Sequence, residues 1–528
     1  MLLTSIRMFW YTISLMESII QAKHALVGAG QDRRWLNNPV LRVRDGRIIE
    51  VSASNRSGQR GGDFDESEAV AGPVGAEVID LGEAVLFPGF IDLDALVDID
   101  HLLLDSWHSP QDALLLAGSA EHWRDHRTAI LTPSERVTLR TFGLVQLALH
   151  GITSYMPIAS EIHLEWNEQA DELREMARIS KEIGLRGWLG PSYRSAVSAA
   201  ELDADGQVTR TLVADDQLAR QGLEEALEFA DELIIANDPL LRPVLLPCRI
   251  ETMSDDLLSA TAEAAAKRDL LVRLHSLQQG WERILIQERL GITPLDLLER
   301  QNLLNDRLLI PHALWTDRNP ALGGLERQAK DSSDLRRIAE AGASVVHCPL
   351  TTFRYGGVLN TLSDYNAAGI TMALGSDSFP PDLVRGMDVG LHAARAQFGH
   401  GSADYAQYIN AATTGGAAAL HRPDLGTIQE GATADFTAFS MADFRDGVSD
   451  DPLRTLVLNG TARNAVFTMV SGRTVMRDGR IPGIDLTRLR ADAQAAFDKV
   501  REGYALRDPL GRAADTIFPS TFPQESQC

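Results

Sequence analysis

Apolar and polar positions change rhythm twice along this chain. The opening part alternates in short runs, SIIQAKHALVG from Ser18 and PVLRVRDGRIIEVSAS from Pro39. Asp45-Gly46, set between two alternating segments, is a hairpin signal. Residues 54–76 are rich in Gly, Ser, Asp and Glu and predict an exposed loop. A further strand pattern, AEVIDLGEAVLFPG, runs into Pro88-Gly89. From there short apolar runs with β-branched residues alternate with longer segments of helical period, as βα units around a parallel sheet do. The runs span residues 87–94, 151–158, 184–190, 242–248, 270–276, 307–313, 343–349 and 370–377, eight in all. Eight units predict an α/β fold of the (β/α)8 TIM-barrel type, with its site at the C-terminal strand ends. No Gly-rich phosphate turn follows the first run, which argues against an open doubly wound sheet.

Beyond the barrel the rhythm returns to period two in TIQEGATADFTAFS and NAVFTMVSGRTVMRDGRI. The two ends therefore predict one small satellite β-sandwich, residues 17–86 with 425–482, around a barrel of residues 87–424. Residues 483–528 form a C-terminal helix, amphipathic over 485–503, and a polar, Pro-containing tail expected to be mobile.

At 528 residues and 44% apolar composition, the chain can fill a barrel core and a satellite domain. No stretch reaches the roughly 18 uncharged apolar residues of a membrane helix. The net charge of −23 argues against nucleic acid and anionic membranes as partners. Three scattered cysteines, Cys248, Cys348 and Cys528, fit no disulfide framework and suit a reducing cytoplasm. The first residues lack the cationic start and cleavage site of a secretion signal, so a cytoplasmic protein is expected, with Met16 as an alternative start.

Four local sequences carry a resemblance. FPGFIDLD, RLHSLQ, IPHALWTD, and VVHCPLTTFRYGG followed by MALGSDS resemble the strand-1, strand-5, strand-6 and strand-7/8 motifs of the amidohydrolase superfamily. They are most similar to its deaminase and chlorohydrolase branch, which includes cytosine and guanine deaminases and triazine hydrolases. NAATTGGAAAL and DLGTIQEGATADF look like the helix and return strand that follow the barrel there. In that branch one Zn2+ or Fe2+ sits on a strand-1 histidine pair, the strand-5 histidine and the strand-8 aspartate. The metal lowers the pKa of its bound water.

By that resemblance His275 matches the strand-5 ligand, His312 the strand-6 histidine and Asp377 the strand-8 aspartate. The strand-1 pair departs from the pattern: Asp94 and Leu96 stand where two histidines belong. Leucine cannot ligate, so Asp94, His275 and Asp377 supply at most three protein ligands. The resemblance then implies one Zn2+, Fe2+ or Mn2+ ion in a non-standard site, or no cofactor at all. RPVLLPC has no lysine to bridge a second metal. Gln278 falls where a proton-shuttling glutamate often sits, and an amide can hydrogen-bond but cannot transfer that proton. Arg249 and Arg194 follow strands 4 and 3, where substrate-reading groups belong, although ion pairs could occupy either.

Asp94 itself reads as a substitute ligand, a general base or a buried polar cap. Asp98, Asp100 and His101 read most simply as solvated loop residues, His347 as a hydrogen-bonded core histidine and Cys348 as inert packing. The function expected is hydrolysis of a C–N or similar leaving-group bond of a small, nitrogen-rich or heterocyclic substrate. Asp377 or Asp94 would act as base or water-orienting group and His312 as acid or electrostatic stabiliser. A non-catalytic scaffold of the same fold, or a lyase or isomerase using the same residues, are the alternatives. The branch commonly forms dimers, so a homodimer is expected.

Overall fold

The eight predicted runs are the strands of a parallel barrel in the computed structural model, which describes residues 17–54, 76–99, 114–158, 164–323, 329–359 and 361–522. In chain order, barrel strands 1 to 8 are Phe90–Leu96, Ile152–Ile158, Arg186–Leu189, Leu241–Pro247, Leu271–Arg273, Leu308–Pro311, Ser344–His347 and Thr371–Leu374. Each pairs in parallel with its sequence neighbour, as in Val345 opposite Met372. Closure comes just past strand 8, where Asp377 N–H donates to the Asp94 carbonyl at 2.8 Å. Gly375 permits that approach, since a Cβ there would lie 2.6 Å from Asp94 Cβ. Such strands read as continuous apolar runs because helices cover their outer face and side chains fill the interior.

Two sheets form the sandwich. The larger has six strands in the order Arg473–Arg477, Ala465–Val470, Phe436–Ser440, Ala84–Pro88, His24–Val27 and Arg34–Asn37, so it interleaves both chain ends. The smaller orders Arg47–Ala53, Pro39–Arg44, Ser18–Gln21 and Glu77–Asp80. Ile20, Leu41, Val43, Leu86, Phe436 and Phe467 join in one buried apolar cluster. A buried ion pair, Arg186 of barrel strand 3 with Asp435 at 3.2 Å, ties this domain to the barrel.

Two features depart from the sequence reading. After strand 3 the chain forms an antiparallel hairpin, Ala196–Leu202 with Val208–Ala214. The C-terminal helix is Leu486–Ala505, capped by Asp485, but the tail beyond it is folded back rather than loose. Its short helix Ala514–Ile517 leads to Phe518, which is buried edge-on against Tyr504 with ring centroids 5.7 Å apart. Aromatic burial against the helix outweighs the tail's polar composition. No helix of the described residues is long and apolar enough to cross a membrane. The expectations about residues 1–16, the loop over 55–75, Asp100, His101 and Cys528 lie outside the described residues.

Candidate active site

Asp94, His275, His312 and Asp377 meet at the C-terminal ends of strands 1, 5, 6 and 8, at 0%, 4%, 1% and 7% exposure. Alternation alone would not send Asp94 inward. Leu93 already packs with Met156, Trp188, Val346 and Cys348, and consecutive residues of a regular strand face opposite ways. The pairing register with strand 2 shifts between Asp92 and Ala95, and such an irregularity re-aims side chains. Asp92 braces the turn, accepting from Asp94 N–H at 3.2 Å and Ser376 N–H at 2.9 Å. Burial pushes its carboxyl up to about 6.

Around Asp94 the contacts divide by oxygen. Arg273 Nη1 lies 3.1 Å from Oδ1, an ion-pair contact whose alignment falls short of a hydrogen bond. The Cys348 thiol donates to Oδ2 at 3.5 Å, and His275 Nε2 stands 3.4 Å from the same oxygen. Burial alone would raise the Asp94 pKa, but His275 and Arg273 hold it well below the usual carboxylate range. Burial raises the Cys348 thiol well above its ordinary value, so it is a donor and not a nucleophile.

Across the site, His312 Nε2 lies 3.5 Å from Asp377 Oδ2, and the two imidazole centroids are 5.5 Å apart. Burial, and next the neighbouring His275, keeps His312 well below its usual pKa, hence neutral. Burial, followed by the neighbouring Asp94, pushes Asp377 well above the ordinary carboxyl value. Leu277, His312, Ala313 and Asp377 all adopt positive φ, between 35° and 68°, a region side-chain-bearing residues rarely occupy. Strain of this kind at the ends of strands 5, 6 and 8 is typical of functional sites. The Thr351 hydroxyl, donating to the Asp377 carbonyl, helps hold the last of these turns.

Of the expected substrate-reading residues, two come together and one does not. Arg249 donates to Gln278 Oε1, and the backbone at Arg249 bridges to His275. Glu282 fixes the Gln278 turn by accepting from Leu277 and Gln278 N–H at 2.6 and 3.0 Å. The inserted hairpin reaches over this side, where the Arg210 guanidinium lies 4.1 Å from the Trp281 ring centre. Arg194 is instead 1% exposed, packed between Trp123 and Trp166 and donating to the Trp166 carbonyl. Buried against both tryptophans, Arg194 does not face the site as a substrate-reading group would. Asp98 is likewise not solvated: it is buried 3.7 Å from Arg140. His347 is buried as expected, but its Nδ1 has no hydrogen-bond partner among the described residues.

Sequence reasoning missed Arg273. Its signal was present, since it stands two residues before His275 and so shares its face of strand 5. The expected metal trio also changes: Asp94, His275 and His312, rather than Asp94, His275 and Asp377, bring donor atoms within 4.8 Å of one another. The superfamily's own ligand set does not fit. Leu96 supplies no donor and packs with Ile99, Leu116, Phe379 and Val500, which seals that wall with apolar side chains. A cavity of about 1080 Å3 lies elsewhere, between helix Ala120–Asp125, the inserted hairpin and the C-terminal helix, and none of these site residues lines it.

Comparison with known proteins fits this architecture. The Amidohydrolase family model matches residues 85–475. A 5-methylthioadenosine/S-adenosylhomocysteine deaminase of Pyrococcus horikoshii is 25% identical over 423 residues, covering 78% of this chain and 87% of the relative. An 8-oxoguanine deaminase of Pseudomonas aeruginosa is 26% identical over 503 residues, covering 89% of this chain and 100% of the relative. Among solved structures, a zinc-bound adenosine deaminase from Xanthomonas campestris superposes with a TM-score of 0.71 at 20% identity, over 92% of this chain and 99% of that one. A zinc complex of atrazine chlorohydrolase from Arthrobacter aurescens gives 0.70 at 20% identity, over 91% of this chain and 100% of that one. The family match spans most of the sequence and the barrel is shared, so the chain belongs to the amidohydrolase family and is a hydrolase of that superfamily.

Proposed function

We propose that this protein hydrolyses the bond between a ring carbon and an amino or similar leaving group of a small, nitrogen-rich heterocycle. The observation that carries the reading is the His312–Asp377 pair, 3.5 Å apart and buried at the barrel mouth on strained backbone. Asp377, once ionised, orients the attacking water and takes its proton, which burial makes it hold strongly, and then returns that proton to the amino group, which departs as ammonia. His312, neutral in its buried site, stabilises the negative charge that develops on the ring nitrogen. Arg249 and Gln278 together offer guanidinium and amide donors with one amide acceptor, complementary to the polar edge of a lactam or amidine ring. The relatives support the substrate class, since two of them are named as deaminases of a purine nucleoside and a purine base. As in those proteins' names, release of ammonia is the first activity to seek; in this chain the ligand change at positions 94 and 96 marks an altered centre.

The test is a panel of amino-, chloro- and alkoxy-substituted purines, pyrimidines and triazines, assayed by product mass in 18O-labelled water. Turnover that incorporates one labelled oxygen and falls by about 100-fold or more in Asp377→Asn and His312→Ala supports the reading. Turnover without label would mean a lyase or isomerase. Turnover undiminished in both variants would remove these residues from the chemistry, and no turnover of any compound in the panel would return the scaffold reading.

A further inference from the structure

Arg210, on the second strand of the inserted hairpin, has unusual partners for an arginine of this chain. Elsewhere the surface arginines meet carboxylates: Arg174 reaches Glu232 and Arg178 reaches Glu182, each at 2.6 Å. Among the described residues Arg210 makes no ion pair, although the chain carries a net charge of −23. Its Nη1 donates to the Ser198 hydroxyl at 2.7 Å, and its guanidinium lies 4.1 Å from the Trp281 ring centre. A guanidinium carries more N–H groups than one hydroxyl can take. Glu182 raises the pKa of Arg178, as a carboxylate neighbour does. Arg210 is an exposed residue, yet desolvation lowers its pKa, and the pull of Glu251 is opposed by Arg249.

Its place in the fold brings it to the substrate-reading pair. Trp281 lies in the first turn of the helix Gly280–Leu290, directly after the turn that presents Gln278 to Arg249. The Trp281 Nε1 donates to Gln279 Oε1, which fixes the indole under Arg210. A second indole reaches the same turn from beyond strand 6. Trp315 N–H donates to the Leu277 carbonyl at 2.7 Å, and a Cβ at Gly280 would lie 2.6 Å from the Trp315 ring. Both tryptophans are half-buried, so their faces offer apolar area to a flat ring beside the polar groups of Gln278 and Arg249. We propose that Arg210 is a specificity-determining residue that binds an oxyanion substituent, carboxylate or phosphate, on the heterocyclic substrate. The planar guanidinium fork matches either oxyanion, and stacking on Trp281 holds it in place before a ligand arrives. A chain this acidic repels an anion at long range, so an anionic substrate needs such a local cation. Burial, followed by Glu251, raises Glu282 to about 8, so the acid that braces the Gln278 turn is neutral and does not compete for the guanidinium. The substrate role of Arg210 rests on the hydrolase reading; the oxyanion site can be seen without turnover.

The experiment compares matched probes with and without the oxyanion. Adenosine is set against its 5′-monophosphate, and 4-aminopyrimidine against 4-aminopyrimidine-5-carboxylate. Equilibrium binding to the full chain is read by calorimetry, with product formation followed in parallel. The charged member of one pair or both should bind at least about 10-fold more tightly, because hydrogen bonds to charged groups are the strong ones. The pair that shows the preference tells carboxylate from phosphate. The preference should fall to about one in Arg210→Met, recover in part in Arg210→Lys, and shrink as salt rises from about 0.05 to 0.5 M. No charge preference in either pair, including no binding at about 1 mM, overturns the proposal without any variant having to fold. A preference undiminished in Arg210→Met overturns it too. Charge-selective binding that depends on Arg210, with no hydrolysis across the panel, would leave the oxyanion site standing and the hydrolase reading fallen. Turnover of uncharged probes with no charge preference would do the reverse.

Discussion

Two buried ionic clusters lie in this barrel, and their difference separates a structural network from a site. Around strands 1 to 3, Arg140 reaches Glu172 and Glu168 at 2.7 Å each and the Val97 carbonyl at 3.1 Å. Arg136 takes the other Glu172 oxygen at 2.9 Å, and Ser192 N–H takes the other Glu168 oxygen at 2.8 Å. None of the side-chain atoms of Arg136, Arg140, Glu168 and Glu172 is among the unpartnered ones. At the mouth, by contrast, the contacts of His275 with Asp94 and of His312 with Asp377 are 3.4 and 3.5 Å, and neither Nε2 atom has a hydrogen-bond partner among the described residues. Burying charge is costly unless every lone pair and proton is met, and the first cluster meets that condition within the fold while the second does not among the described residues.

The largest effect that would break this contrast is on the closed cluster. Arg140→Met leaves Glu168 and Glu172 buried with one cation fewer and should cost about 3–5 kcal/mol in denaturant unfolding. A loss below about 1 kcal/mol would show that solvent reaches the network. In the open cluster the balance is reversed. Asp377→Asn should cut turnover by about 100-fold or more while changing stability by less than about 1 kcal/mol, because it removes a carboxyl that burial disfavours. Equal damage to stability and turnover would make the two clusters alike.

Gly375→Ala tests whether the open cluster is loose in its backbone as well as its side chains. A Cβ there would meet Asp94 Cβ at 2.6 Å and Cys348 Sγ at 3.0 Å, so a destabilisation of about 1–3 kcal/mol is expected. The last test concerns His347, a buried titratable group belonging to neither cluster, whose effect is confined to acid pH. Burial depresses it to about 3 from an ordinary 6.5. Between those values the unfolded chain binds more protons than the folded one, so this contribution is present above about pH 6.5 and is lost as pH falls towards 3. His347→Gln should flatten the acid side of the stability curve by at most about 1.4 kcal/mol per pH unit. An unchanged slope would mean that His347 is not held neutral.

Much of the fold was legible because it rests on periodicity. Eight apolar runs, each followed by a helical stretch, leave few closed solutions, and all eight became barrel strands. The hairpin over 196–214 was not legible, because its alternation is diluted by polar residues and it packs as an insertion. The folded tail escaped for a related reason: Phe518 is one aromatic in a polar segment, and only its partner Tyr504 makes it a core residue.

The site divides along the same line. His275, His312 and Asp377 stand in motif contexts, so the sequence by itself determined which strand ends carry them and that Leu96 offers no ligand. It could not decide that Asp94 turns inward beside Leu93, since that depends on a register shift against strand 2. Nor could it decide that Arg273 pairs with Asp94, that Arg194 is closed off by Trp123 and Trp166, or that His312 rather than Asp377 completes the trio of close donors. Those outcomes depend on distances between strands far apart in the chain. Periodicity reports which way a residue faces on its own element, and only the closed barrel decides what stands opposite it.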